Sequence, residues 1–91
     1  MFKIKWEQMM VTKKTPRLDL HGEEKALVYV LITDFVNTQY KIGNKEIIVV
    51  HGKSTNILTK EVHNVLKDNK YVLKFHLNNW NLGETIIYLK E

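Results

Sequence analysis

A chain of 91 residues is long enough to bury one core and too short for two domains. Its 44% hydrophobic and 26% charged residues are the composition of an ordinary soluble globular protein, and the absence of cysteine excludes disulfides and thiolate metal sites. The formal charge of +4 is unevenly spread, because residues 1–22 hold five bases (Lys3, Lys5, Lys13, Lys14, Arg17) against Glu7 and Asp19, a net +3.

The amino-terminal stretch alternates Phe2, Ile4 and Trp6 with Lys3 and Lys5, then loses its pattern, so residues 1–14 read as a basic extended arm ahead of one domain over 15–91. Such an arm suits a phosphate backbone and exposed bases. A solvated tail or an added edge strand is the commoner origin of a charge run of this kind. The arm has no apolar segment resembling a signal peptide, and the longest apolar runs, such as Ile47–Val50, fall far short of the roughly 20 residues that span a bilayer. A soluble, cytoplasmic protein with no membrane partner is expected.

Pro16 precedes "RLDLHG", Arg17 to Gly22, in which Leu18 and Leu20 point to one side and Arg17 and Asp19 to the other. This is the first strand. Gly22-Glu23-Glu24 then opens a helix whose Leu27, Val28, Leu31, Ile32 and Phe35 recur at helical spacing, with the acids expected in the first turn and Gly43-Asn44 at the end. "EIIVV" follows, a continuous β-branched run of the kind found between parallel neighbours. "HGKSTN" leads into a second helix with Leu58, Val62, Val65 and Leu66 as its apolar stripe, Lys60, His63 and Lys67 turned to solvent, and Asp68-Asn69 as its stop. Leu73, Phe75 and Leu77 next alternate with Lys74 and His76, and a loop "NNWNLGE" returns the chain into "TIIYL". The order β-α-β-α-β-β predicts an α/β two-layer sandwich with a mixed four-stranded sheet and two helices, its helical connections joining strands of the same direction.

Strands one and two both end in His-Gly before a helix. Parallel strands emerge at one edge of a sheet, where open α/β sheets bind ligands, so His21-Gly22 and His51-Gly52 are expected side by side at one rim. The backbone N–H groups of Lys53, Ser54 and Thr55, ahead of a helix and beside the Lys53 charge, suit a phosphate. Asp19 and His21, about 6.5–7 Å apart along a strand, share a face on which the carboxylate can orient the imidazole for proton transfer. His51 then supplies the complementary acid or an electrostatic role. Asp-x-His at a strand end is more often a surface or capping pair, and glycine after a strand is ordinary turn chemistry. Asp19, His21 and His51 also form a weaker candidate set for a divalent metal. His63 and His76 read as solvated, with no role.

The ordered motifs Leu18-Asp19-Leu20-His21-Gly22, His51-Gly52-Lys53-Ser54 and Gly83-Glu84-Thr85-Ile86-Ile87-Tyr88-Leu89 resemble those of the Smr domain, the small MutS-related module, with the likeness running from about Arg17 to the end. Ser54 and Asn56 stand where the family commonly has glycine, and Trp80 replaces part of its last glycine-rich loop. The resemblance implies a sandwich like the carboxyl-terminal domain of bacterial translation initiation factor three. It also implies nucleic-acid binding and, in several members, endonuclease activity on DNA or RNA, some of it linked to the ribosome. Carried over by position, Asp19 and His21 become the catalytic pair and His51, Gly52 and Lys53 the phosphate-side turn. Lys13, Lys14, Arg17 and Trp80 complete the expected nucleic-acid surface, Trp80 by stacking on a base. DNA or RNA is the expected partner, and acid–base cleavage would need no cofactor. The alternative reading is a non-catalytic nucleic-acid or ribosome-binding module.

Overall fold

The computed structural model describes residues 15–53 and 56–91. Expectations for the 1–14 arm, including Lys13 and Lys14, and for Ser54 and Thr55 lie outside them. The elements are β1 (Arg17–Asp19), α1 (Lys25–Ile42), β2 (Glu46–Val50), α2 (Asn56–Lys67), β3 (Val72–Asn78) and β4 (Asn81–Leu89). The sheet order is β1-β2-β4-β3, which makes the expected mixed four-stranded sheet. Among the described residues no helix is long and apolar enough to cross a membrane.

β1 runs parallel to β2, with Asp19 opposite Val50, and β4 lies antiparallel to both β2 and β3. The expectation of parallel neighbours on both sides of β2 is corrected here, because the short β3–β4 turn folds β4 back between β2 and β3. β2 and β3 still point the same way across it. The carboxyl ends of β1, β2 and β3 therefore meet at one rim, together with the β3–β4 turn.

One face of the sheet carries Leu20, Ile47, Val49 and Ile87, all fully buried beneath the helices. Helix α1 buries Val28, Ile32 and Val36, one position every turn, with Leu31 and Phe35 half-buried beside them. Leu27, expected on that stripe, is 45% exposed, because the stripe centres one residue later. The helix also begins later than expected: Glu24 is its N-cap without a side-chain bond, and no acid lies in its first turn. It ends as its sequence dictates, with Gly43 at φ 98° and the Gly43 and Asn44 N–H groups donating back to the Gln39 carbonyl. In α2 the expected stripe of Leu58, Val62, Val65 and Leu66 is buried throughout.

Simple alternation fails in β3. A register shift between Val72 and Lys74 turns Leu73 outward, 61% exposed, and leaves Val72 buried in its place. The loop expected over "NNWNLGE" is also tighter than its seven residues suggest, since Asn78 already pairs with Asn81 across a turn of Asn79 and Trp80. Asn78 Oδ1 accepts the Trp80 backbone N–H at 2.9 Å, a local bond that closes the turn without glycine.

Candidate active site

β1 ends at Asp19, and the chain turns at once. Asp19 Oδ1 accepts the backbone N–H of His21 at 2.9 Å, Glu23 N–H donates to the Leu20 carbonyl, and Gly22 takes φ 84°. The carboxylate thus holds His21 by its backbone and makes no hydrogen bond to the imidazole, which differs from the strand-face pairing expected. His21 is exposed, and its ring lies against Gly52: a Cβ on Gly52 would sit 3.1 Å from His21 Cδ2. Gly52 has φ 87°, a conformation that favours glycine, and an added Cβ would push the His21 ring aside. A cleft of about 290 Å³ opens here, lined by His21, Lys25, His51, Ile57 and Leu58.

Gly83 secures the second turn from β4. Its carbonyl accepts both the His51 N–H at 2.8 Å and the Gly52 N–H at 3.0 Å, so the Gly52 amide faces inward rather than toward a ligand. A Cβ on Gly83 would lie 3.2 Å from Lys53 Cγ and 3.4 Å from the Gly52 backbone. Lys53 itself is exposed at the start of the loop that leads to α2.

His51 does not stand at the rim beside His21 as an open imidazole. It is 3% exposed and turned under the sheet edge, because the side chain after Val50 falls on the helix-covered face. Its Nδ1 lies 3.1 Å from the Gly52 carbonyl and 2.9 Å from Thr59 Oγ1, and its Nε2 lies 2.9 Å from Thr85 Oγ1. With both nitrogens engaged, His51 has no free position for a substrate proton.

The same Thr85 hydroxyl lies 2.8 Å from His63 Nε2, and the two imidazoles meet edge to face at 6.1 Å. The expectation of a solvated His63 is therefore corrected: it is half-buried beside Phe75, one position from the apolar stripe at Val62. Burial, then the nearby His51 and Lys67, hold its pKa below the ordinary value of 6.5. A folded-state pKa below the unfolded one means that the unfolded chain binds more protons on acidification. The stability His63 contributes is then whole well above pH 6.5 and is lost as pH falls from that value through the lower folded-state pKa, and His63→Gln is expected to flatten the slope. Urea unfolding of both proteins between pH 7.5 and 5 checks this.

Arg17 sits on the open sheet face, where its guanidinium pairs with Glu84 at 2.5 Å, and Asn78 donates to the other Glu84 oxygen. Its charge is thus matched within the protein. Trp80, at the tip of the β3–β4 turn on the same rim as His21, is 96% exposed. Of Asp19, His21 and His51, the last cannot serve as a metal ligand, since both of its ring nitrogens are bonded within the protein. No cluster of three or more metal-ligating side chains occurs among the described residues.

A family model described as the Smr domain matches residues 18–90, most of the chain. The chain belongs to the Smr domain family. Among curated proteins this Smr domain is 33% identical over 79 residues to Endonuclease MutS2 of Ligilactobacillus salivarius, and 29% identical over 72 residues to Endonuclease MutS2 of Halothermothrix orenii. Those matches cover 84% and 79% of the chain but only 10% and 9% of the relatives, so it spans about a tenth of their length. Among solved structures the Smr domain of Thermus thermophilus MutS2 superposes with a TM-score of 0.80 at 21% identity, covering 85% of this chain and all of that one. YdaL, a stand-alone small MutS-related protein from Escherichia coli, gives 0.78 at 17% identity, covering 82% of this chain and 64% of that one. Both show the same fold.

Sequence reasoning missed Thr59, His63 and Thr85 as partners of His51. Two signals were present: Thr59 and His63 are four apart on one helix face, and Thr85 is a hydroxyl residue opening the apolar strand "TIIYL".

Proposed function

We propose that this Smr domain is a nucleic-acid-binding endonuclease that cuts the phosphodiester backbone at the rim around His21. The observation that carries the reading is the exposed His21 imidazole, fixed through its backbone by Asp19 and resting on Gly52 at the loop into α2. The matched relatives are named endonucleases, which supports the same class.

On RNA, His21 removes the proton of the 2′-hydroxyl, that oxygen attacks phosphorus, and the bond to the 5′-oxygen breaks. The leaving oxygen takes a proton from water, and the products end in a 2′,3′-cyclic phosphate and a 5′-hydroxyl. Lys53 and the amino-terminal end of α2 offset the charge that builds on the phosphate. His51, buried and doubly bonded, is a positioning residue in this scheme rather than the acid. Trp80 offers an exposed ring for base stacking, worth about 1–3 kcal/mol per base. Incubation with labelled RNA and supercoiled plasmid, with and without chelator, tests the reading. Cleavage that persists in chelator and disappears in His21→Ala supports it, and equal rates for the two proteins sink it.

A second reading, a non-catalytic nucleic-acid or ribosome-binding module of the cytoplasm, is favoured by the inward turn of His51, which leaves His21 without a second imidazole. It predicts binding that survives His21→Ala and weakens steeply with salt. Each of Lys13, Lys14 and Lys53 that touches phosphate is expected to lower the salt slope by about 1 when changed to alanine. Fluorescence anisotropy between 50 and 200 mM salt reads that slope.

A further inference from the structure

We propose that Thr85 and His63, with Thr59, act as positioning residues that hold His51, and through it the Gly52 turn, in the form on which His21 rests. This rests on the reading of the His21 rim as the functional site. The bond pattern has one consistent direction. The Gly52 carbonyl can only accept, so the proton of His51 sits on Nδ1, shared with Thr59 Oγ1. His51 Nε2 then accepts from the Thr85 hydroxyl, whose oxygen in turn accepts from His63 Nε2–H. Three side chains from α2 and β4 thus lock one orientation of the His51 ring.

That ring matters because the Gly52 turn is held from two sides. The Gly83 carbonyl accepts its two N–H groups, and His51 Nδ1–H donates to the Gly52 carbonyl. Glycine reaches the Gly52 φ of 87° without strain but is free to leave it, so these bonds fix the turn. Thr85 is fully buried, and among the described residues no buried side-chain polar atom lacks a partner. Removing the Thr85 hydroxyl therefore leaves His51 Nε2 without a donor and His63 Nε2–H without an acceptor, so that the His51 ring is held at Nδ1 alone.

Native-state hydrogen exchange at the His51 and Gly52 amides, both bonded to the Gly83 carbonyl, reads the turn without any activity assay. In Thr85→Val and His63→Leu both amides are expected to exchange about tenfold or more faster relative to the central β2–β4 ladder. In His63→Gln, whose amide N–H replaces the Nε2–H donor, they stay near wild type. Nitrogen-15 shifts in the wild type should place the proton of His51 on Nδ1 and that of His63 on Nε2. Exchange that rises only in step with the ladder, a His63→Gln variant as open as His63→Leu, or a proton on His51 Nε2 overturns the proposal. Should Thr85→Val not fold, the His63 pair carries the test. Loss of the nuclease reading, shown by an active His21→Ala, leaves the exchange result independent of it.

Discussion

Replacing His21 with alanine is expected to lower RNA cleavage by about 10²- to 10⁴-fold, the usual contribution of a positioned proton-transfer group. The fold should not change, because the ring is exposed and its neighbour in the second turn is a glycine. Unfolding free energies within about 0.5 kcal/mol of wild type, the range for surface substitutions, separate a chemical loss from a structural one. Asp19 sharpens the point. Its Oδ1 accepts a backbone N–H, and an asparagine oxygen makes the same bond. Asp19→Asn should therefore retain most of the activity, whereas Asp19→Ala releases the turn and loses it. Were Asp19 acting by charge on the imidazole, both variants would fail alike.

Gly52→Val is expected to have the second large effect, on stability and activity together. A non-glycine residue at φ 87° costs roughly 1–2 kcal/mol in backbone strain, and β-branching adds to it. The new Cβ also meets His21 Cδ2 at 3.1 Å, and the exposed ring gives way. Activity should fall well beyond what the lost stability explains. Gly43→Ala provides the control: its φ is 98°, nothing lies within 4 Å of the added Cβ, and it caps the far end of α1. It should lose comparable backbone stability and no activity. Urea unfolding and initial cleavage rates on the two variants check both statements.

The features legible from sequence were those set by local rules. The 3.6-residue period located the α2 stripe, and Gly43-Asn44 marked the end of α1 through the left-handed conformation glycine allows. Leu18 and Leu20 turned inward as period-two alternation required. Most of what failed depended on a partner far along the chain. The shift that expels Leu73 is a property of the β3–β4 pairing, and β4 between β2 and β3 follows from a turn that closes on Asn78 without glycine. The site divides in the same way. The Asp19-x-His21-Gly22 spacing marked the turn that ends β1, but the i,i+2 argument assumed that the strand continued to His21. The strand stops at Asp19 and the carboxylate caps the turn instead. His51 and His63 are both more buried than expected because each bonds Thr85, 34 and 22 residues away, a contact that the tertiary fold sets.

End-group analysis of RNA cut by the purified chain tests the central claim most directly, with His21→Ala run in parallel and chelator present throughout. The account predicts 2′,3′-cyclic phosphate termini from the wild type and their loss in the variant. Termini of the same kind, formed at the same rate by His21→Ala, would contradict it.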